Sequence, residues 1–164
     1  MATGDTMDWW IAWDCVKDDT SGATNDVRNQ HRVIDFDDTT DESAIYSGLL
    51  PNSYDGGGLT LELLIGATTA TSGNAIFDAG IERIQEGATD VDADSFAAVN
   101  SVTQAVNGTS GVFVLATITF TDGADMDSLA AGEAFRIKVT RDADNGSDTV
   151  SGDVELLRVH LSET

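Results

Sequence analysis

VFVLATITFT, residues 112–121, is the stretch that decides the fold class, because its side chains alternate with a period of two. Val112, Val114, Ile118 and Phe120 fall on one face, and Thr117, Thr119 and Thr121 fall on the other. That is the pattern of an antiparallel strand with one face in a core and one in water. AFRIKVTR, residues 134–141, repeats it, with Phe135, Ile137 and Val139 opposing Arg136, Lys138 and Thr140.

Working outward, LTLELLIGAT at 59–68 aligns Leu59, Leu61, Leu63 and Ile65, and the segment 75–85 aligns Phe77, Ala79 and Ile81. The short connector TATSGN between them predicts a hairpin. The last strand, 153–162, carries Leu157, Val159 and Leu161 on one face and Val154 and Leu156 on the other, which predicts a central strand with its first half covered on both sides. Weaker strands are expected at 9–15, 31–36, 43–48 and 99–106. Two short helical pieces are expected, around Asp94–Ala98 and Ala124–Ala131. Many short strands with no parallel βαβ alternation predict an all-β fold, an antiparallel jelly-roll β-sandwich.

The chain has 164 residues and 41% hydrophobic content, which suits one domain. DDTSGATNDVRN, residues 18–29, reads as a mobile linker, with 37–43 a second, so residues 1–30 are expected as an N-terminal arm or attachment segment and 31–164 as the jelly roll. No run approaches the roughly 20 apolar residues of a membrane helix, and MATGDTMDWW lacks the order of a signal peptide. A soluble product of the cytoplasm is the expectation. Cys15 is the sole cysteine, which excludes an intrachain disulfide and a cysteine-based zinc site.

The net charge is -21, from 29 acids against 8 Lys plus Arg. Such a surface repels nucleic acid and anionic lipid, so neither is expected as a partner. Acid-rich, lysine-poor composition is similar to that of proteins of salt-loving organisms and their viruses, in which about 1 M salt shortens the Debye length to roughly 3 Å, with an acidic mesophilic protein as the alternative.

Catalytic signatures are missing from the sequence. His31 and His160 stand apart with no HExxH spacing, there is no GxSxG elbow, and Gly56-Gly57-Gly58 has no Lys-Ser or Lys-Thr after it and reads as a close-packed turn. With so many acids, a pair of carboxylates at glycosidase spacing has no specificity. No catalytic residue and no cofactor is expected. Calcium is the one exception to weigh: Asp90, Asp92 and Asp94, and Asp142, Asp144 and Asp148, place oxygen ligands at alternating loop positions, although neither set fits an EF-hand and a solvated acidic turn is the alternative.

Two clusters are candidates for contact with a partner. Trp9, Trp10 and Trp13 crowd one segment; on a strand Trp9 and Trp13 share a face with Ile11, leaving Trp10 opposite. They suit a core, a subunit contact or an exposed platform for sugar rings. Arg136, Lys138 and Arg158, with Arg141, lie in the last two strands. If these strands are neighbours they form one basic face on an acidic molecule, unless Glu133 and Glu155 pair with them locally.

From Tyr54 onward, the runs Tyr54-Asp55-Gly56-Gly57-Gly58-Leu59-Thr60, Ala79-Gly80-Ile81-Glu82-Arg83-Ile84, Thr119 to Glu133 and Phe135 to Asp142 resemble small virion structural proteins of tailed phages and archaeal tailed viruses. The resemblance implies a jelly-roll capsid decoration or cement protein: a homotrimer on the capsid surface, assembled in the host cytoplasm, that binds the major capsid protein and stabilises the assembled head. A glycan-binding jelly roll of a tail or fibre is the alternative function.

Overall fold

The computed structural model describes residues 2–164. Eleven strands account for most of it: β1 (Thr6–Ile11), β2 (Val16–Lys17), β3 (Thr24–Arg28), β4 (His31–Phe36), β5 (Glu42–Leu49), β6 (Leu59–Ala67), β7 (Asn74–Ile84), β8 (Asn100–Ala105), β9 (Val114–Phe120), β10 (Ala134–Arg141) and β11 (Val154–Glu163). They form two antiparallel sheets, one ordered β3-β4-β11-β6-β9 with β1 also paired to β11, the other ordered β2-β5-β10-β7-β8. The architecture is the expected jelly-roll β-sandwich. No helix among the described residues is long and apolar enough to cross a membrane.

The period-two pattern places the core between the sheets. Leu59, Leu61, Leu63 and Ile65 of β6 and Ala116, Ile118 and Phe120 of β9 face Phe77, Ala79 and Ile81 of β7 and Phe135, Ile137 and Val139 of β10. Aromatic rings lock the layers: Trp10 meets Tyr46 at 5.8 Å and the edge of Phe135 at 6.2 Å, and Phe36 meets Phe77 edge-on at 5.4 Å. Of the glycine triplet expected as a close-packed turn only Gly58 is tightly packed, since a Cβ there would lie 2.5 Å from the carbonyl oxygen of Phe120, whereas one at Gly56 would meet nothing within 4 Å.

Several expectations are corrected. The segments 59–68 and 75–85 do not make a hairpin: β6 and β7 belong to different sheets, and their connector crosses the sandwich, whose layers lie about 10 Å apart. Local alternation reports which face of a strand is buried but not which strand it pairs with. In β11 the register shifts between Leu156 and Arg158, so Leu157 is an extra residue and Val154, Leu156, Val159 and Leu161 share the inner face. A bulge of one residue reverses the alternation beyond it, which the strict pattern could not anticipate. The strand is central, as expected, and Val154, Glu155 and Leu156 are all buried.

Of the segment 1–30 expected as an arm, the described residues 2–30 do not stand off. β1 pairs with β11, β2 with β5 and β3 with β4, and Met7, Trp10, Ala12 and Ala23 belong to the core. The Asp- and Gly-rich residues 18–22 are a turn between strands that travel to opposite sheets. Of the two expected helical pieces, the first is irregular and the second reduces to a 3-10 turn at Ala124–Met126.

Candidate functional site

The outer face of the five-stranded sheet is partly covered. After β7 the chain from Gln85 to Val99 folds back over it, with the amide of Ala97 donating to the Ile81 carbonyl (2.9 Å). Gly80 permits the approach, because a Cβ there would come within 3.1 Å of the Ala97 carbonyl oxygen. Arg136 is the pin. Its guanidinium pairs with fully buried Glu82, donates to Asp94 Oδ1 (2.8 Å) and lies 5.1 Å from the centre of the Phe96 ring. Ser95 donates its amide and its hydroxyl to Glu82 Oε1 (2.7 and 3.1 Å). Beside it Lys138 pairs with Asp18 at 2.7 Å and holds that carboxyl well below the usual range.

The basic face expected from β10 and β11 is therefore not assembled. The two strands lie in different sheets, so Arg136 and Lys138 point away from Arg158 across the whole sandwich. Arg141, on the inner face of β10, is fully buried and donates twice to Asp148 (2.9 and 3.0 Å) and to the carbonyls of Phe36, Val150 and Gly152. Glu133 pairs with Arg83 and Glu155 with Arg28, each a partner far away in sequence.

The outer face of the six-stranded sheet is open where β1, β11, β6 and β9 lie side by side. Cross-strand register sets Trp9, His160, Glu62 and Thr117 in one row and Ile11, Arg158, Leu64 and Leu115 in the next. At about 4.8 Å per strand the rows are roughly 14 Å wide. Trp9 stands 60% exposed at one edge. His160 is fixed beside it, with Nδ1 3.0 Å from Glu62 Oε2 and Nε2 2.9 Å from the Thr6 hydroxyl. A proton on Nδ1, donated to Glu62, leaves Nε2 to accept from Thr6. Arg158 is exposed and has no carboxylate partner among the described residues.

The three tryptophans separate. Trp10 turns into the core and donates Nε1–H to the Ser47 carbonyl (2.9 Å). Trp13 leaves the strand altogether, because Asp14 accepts the Ile11 amide and turns Ala12–Asp14 into a 3-10 turn. Half-buried there, it donates Nε1–H to the Val33 carbonyl (2.9 Å), with Arg32 4.8 Å above its ring. Only Trp9 remains as a platform.

Acids gather along β4 and at the neighbouring end of the sandwich. Asp26, Asp35 and Glu155 bring carboxylate oxygens within 4.8 Å of one another, as do Asp37, Asp38 and Asp153, and Asp41, Asp142 and Asp144. Burial, then the charges of Glu155 and Asp26, push the Asp35 carboxyl up to about 7. The hollow beside it, about 180 Å³, is lined by Thr24, Asp35, Asp37, Glu42 and Asp153, a set of oxygens that suits a hard cation better than a sugar. Of the loop acids weighed for calcium, Asp142 and Asp144 meet Asp41, whereas Asp148 is taken by Arg141 and Asp94 by Arg136. Asp90, Asp92 and Asp94 make no three-carboxylate group among the described residues.

No protein-family model matches the sequence, and no curated protein matches it. Solved structures do. The chain is similar to a carbohydrate-binding module of Cellvibrio mixtus lichenase 5A in complex with cellotriose, at 10% identity and a TM-score of 0.54, covering 97% of this chain and 98% of that one. It is similar to a xylan-binding domain of Paenibacillus barcinonensis Xyn10C, at 10% identity and a TM-score of 0.52, covering 93% and 92%. It also resembles part of an isomalto-dextranase of Arthrobacter globiformis complexed with panose, at 13% identity and a TM-score of 0.60, but spans only 23% of that chain. At these identities the likeness establishes the jelly-roll fold. None of these three is a virion protein.

Proposed function

We propose that the chain is a non-catalytic glycan-binding module that lays a saccharide chain across the open face of the six-stranded sheet. The observation that carries this reading is Trp9, an indole 60% exposed at the edge of a four-strand surface, in a row whose other members, His160, Glu62 and Thr117, are polar. A pyranose presents its axial C–H groups to an aromatic ring and its hydroxyls sideways, so a flat apolar ring with hydrogen-bonding neighbours matches it on both counts. Glu62, His160 and Thr117 supply donors and acceptors in register with the ring, and Thr60 adds a hydroxyl in the next row. Because they stand on paired strands, little ordering is lost on binding. A carbohydrate-binding module in complex with cellotriose and a xylan-binding domain, both on the same fold, support the reading without assigning any residue to it.

A decoration protein would use the same sandwich, but the cationic contact face expected for it is divided between opposite surfaces, and Arg136 and Lys138 are already engaged. Nothing in the geometry favours that role over sugar binding.

Affinity electrophoresis through gels carrying xylan, mixed-linkage glucan, laminarin or dextran tests the proposal. At least one polysaccharide is expected to retard the protein, and Trp9→Ala to weaken that retardation about tenfold, the loss of one stacked ring. Absence of retardation across the panel, or a Trp9→Ala protein that binds as well as its parent, would overturn it.

A further inference from the structure

Among the described residues two cations have neither a carboxylate partner nor an aromatic ring beneath them: Lys17, on the edge strand of the five-stranded sheet, and Arg158, on the open face. Arg28, Arg83, Arg136, Arg141 and Lys138 are each paired with a carboxylate, and Arg32 lies over Trp13. Arg158 is flanked across the strands by Ile11 and Leu64, which offer it no oxygen, and the nearest acid in the adjoining row, Glu62, is turned to His160. An exposed arginine with apolar residues in register on both sides, on a protein of net charge -21, is a set of donors free to take a carboxylate from outside. Trp9 stands one row away on the same face, roughly 7 Å along the strand.

Resting on the glycan-binding reading, we infer that this face selects a largely neutral polysaccharide bearing sparse uronic acid groups, with a sugar ring on Trp9 and the carboxylate of an adjacent uronate on Arg158. Charge fixes the sparseness. One free arginine accommodates one carboxylate, and the remaining acids of the protein repel a chain charged at every residue. The same charge predicts an unusual salt dependence. Repulsion from distant acids reaches about 30 Å at 0.01 M salt and about 8 Å at 0.15 M, whereas the contact at Arg158 is shorter than either. Adding salt over that range therefore strengthens binding, where an ordinary ion pair between opposite net charges would weaken.

The test uses glucuronoxylan and the same polymer after its carboxyl groups have been reduced to alcohols, with titration calorimetry on the full chain. Native glucuronoxylan is expected to bind about tenfold more tightly than the reduced form, one charge-assisted hydrogen-bonded pair. Arg158→Gln should bring the two to equal affinity, while Trp9→Ala lowers both. Affinity for the native polymer should rise between about 0.01 and 0.15 M NaCl. Equal binding of native and reduced polymer by the unsubstituted protein, or an Arg158→Gln protein that keeps the preference, overturns the uronate assignment and leaves glycan binding standing. Failure to bind either polymer or any neutral polysaccharide overturns both. Arg158 is exposed, so its variant is expected to fold, which a thermal melt verifies.

Discussion

On the outer face of the five-stranded sheet every cation of β10 is engaged and a segment of chain lies over it; on the outer face of the six-stranded sheet Trp9 and Arg158 are left to solvent. Both faces derive from the same alternation of apolar and polar residues, and both belong to strands of similar length. The difference lies in what the polar positions meet. Arg136 stands opposite Glu82 across β7, and the returning loop adds Asp94 and Phe96. Arg158 stands opposite Leu64 and Ile11. A face whose charges cancel internally contributes stability, and a face whose charge finds no partner is left to solvent.

The sharpest way to break the contrast is to remove the pin. Arg136→Ala leaves Glu82 fully buried with only the Ser95 donors, and breaking a buried pair from one side costs about 3 kcal/mol. For a chain of this size that corresponds to a melting temperature lower by roughly 6–12 °C in a thermal scan. Glu82→Gln in the same background should recover part of the loss, since a neutral amide at that site no longer needs a cation. A melting temperature unchanged by Arg136→Ala would mean that the loop is not held by this pair.

The fold class was legible from the period-two pattern, because burial of one face of each strand is a local property that residues such as Leu59, Leu61 and Leu63 display in sequence order. Pairing was not legible. Arg28 and Glu155 are 127 residues apart, and nothing near either one signals the other. The bulge at Leu157 inverted the reading of β11, and the 3-10 turn after Ile11 moved Trp13 off the strand it appeared to share with Trp9. Of the candidate contact residues, Trp9 and Arg158 remain accessible on one face. His160 and Glu62 escaped notice as a pair because cross-strand neighbours, 98 residues apart here, become neighbours only through register.

A second, smaller perturbation acts on the acidic part of the six-stranded sheet. Burial and the neighbouring Glu155 and Asp26 raise the Asp35 carboxyl from its ordinary value of 3.8 to about 7. Between those values the folded chain holds a proton that the unfolded chain releases, so this group's contribution to stability falls as pH rises from about 4 and is fully lost above 7. Asp35→Asn removes the dependence. We expect it to stabilise the protein by about 1–2 kcal/mol at pH 8, less than the whole shift implies because the residue is half-buried and screened, and to have little effect at pH 4. Urea unfolding at the two pH values distinguishes this from a substitution that merely improves packing, which would act equally at both.

The smallest expected effects on stability fall on the open face, and their smallness is what the comparison requires. Trp9→Ala removes a ring already 60% in water, and Arg158→Gln removes a charge with no partner, so each should change unfolding free energy by no more than about 0.5 kcal/mol. The same two substitutions are the ones expected to change saccharide binding about tenfold. A residue that built the fold would show the reverse, a large change in unfolding with binding lost only because the protein no longer folds. If Trp9→Ala instead lowered stability as much as Arg136→Ala does, Trp9 would be serving the sandwich, and the two faces would differ in degree of cover alone.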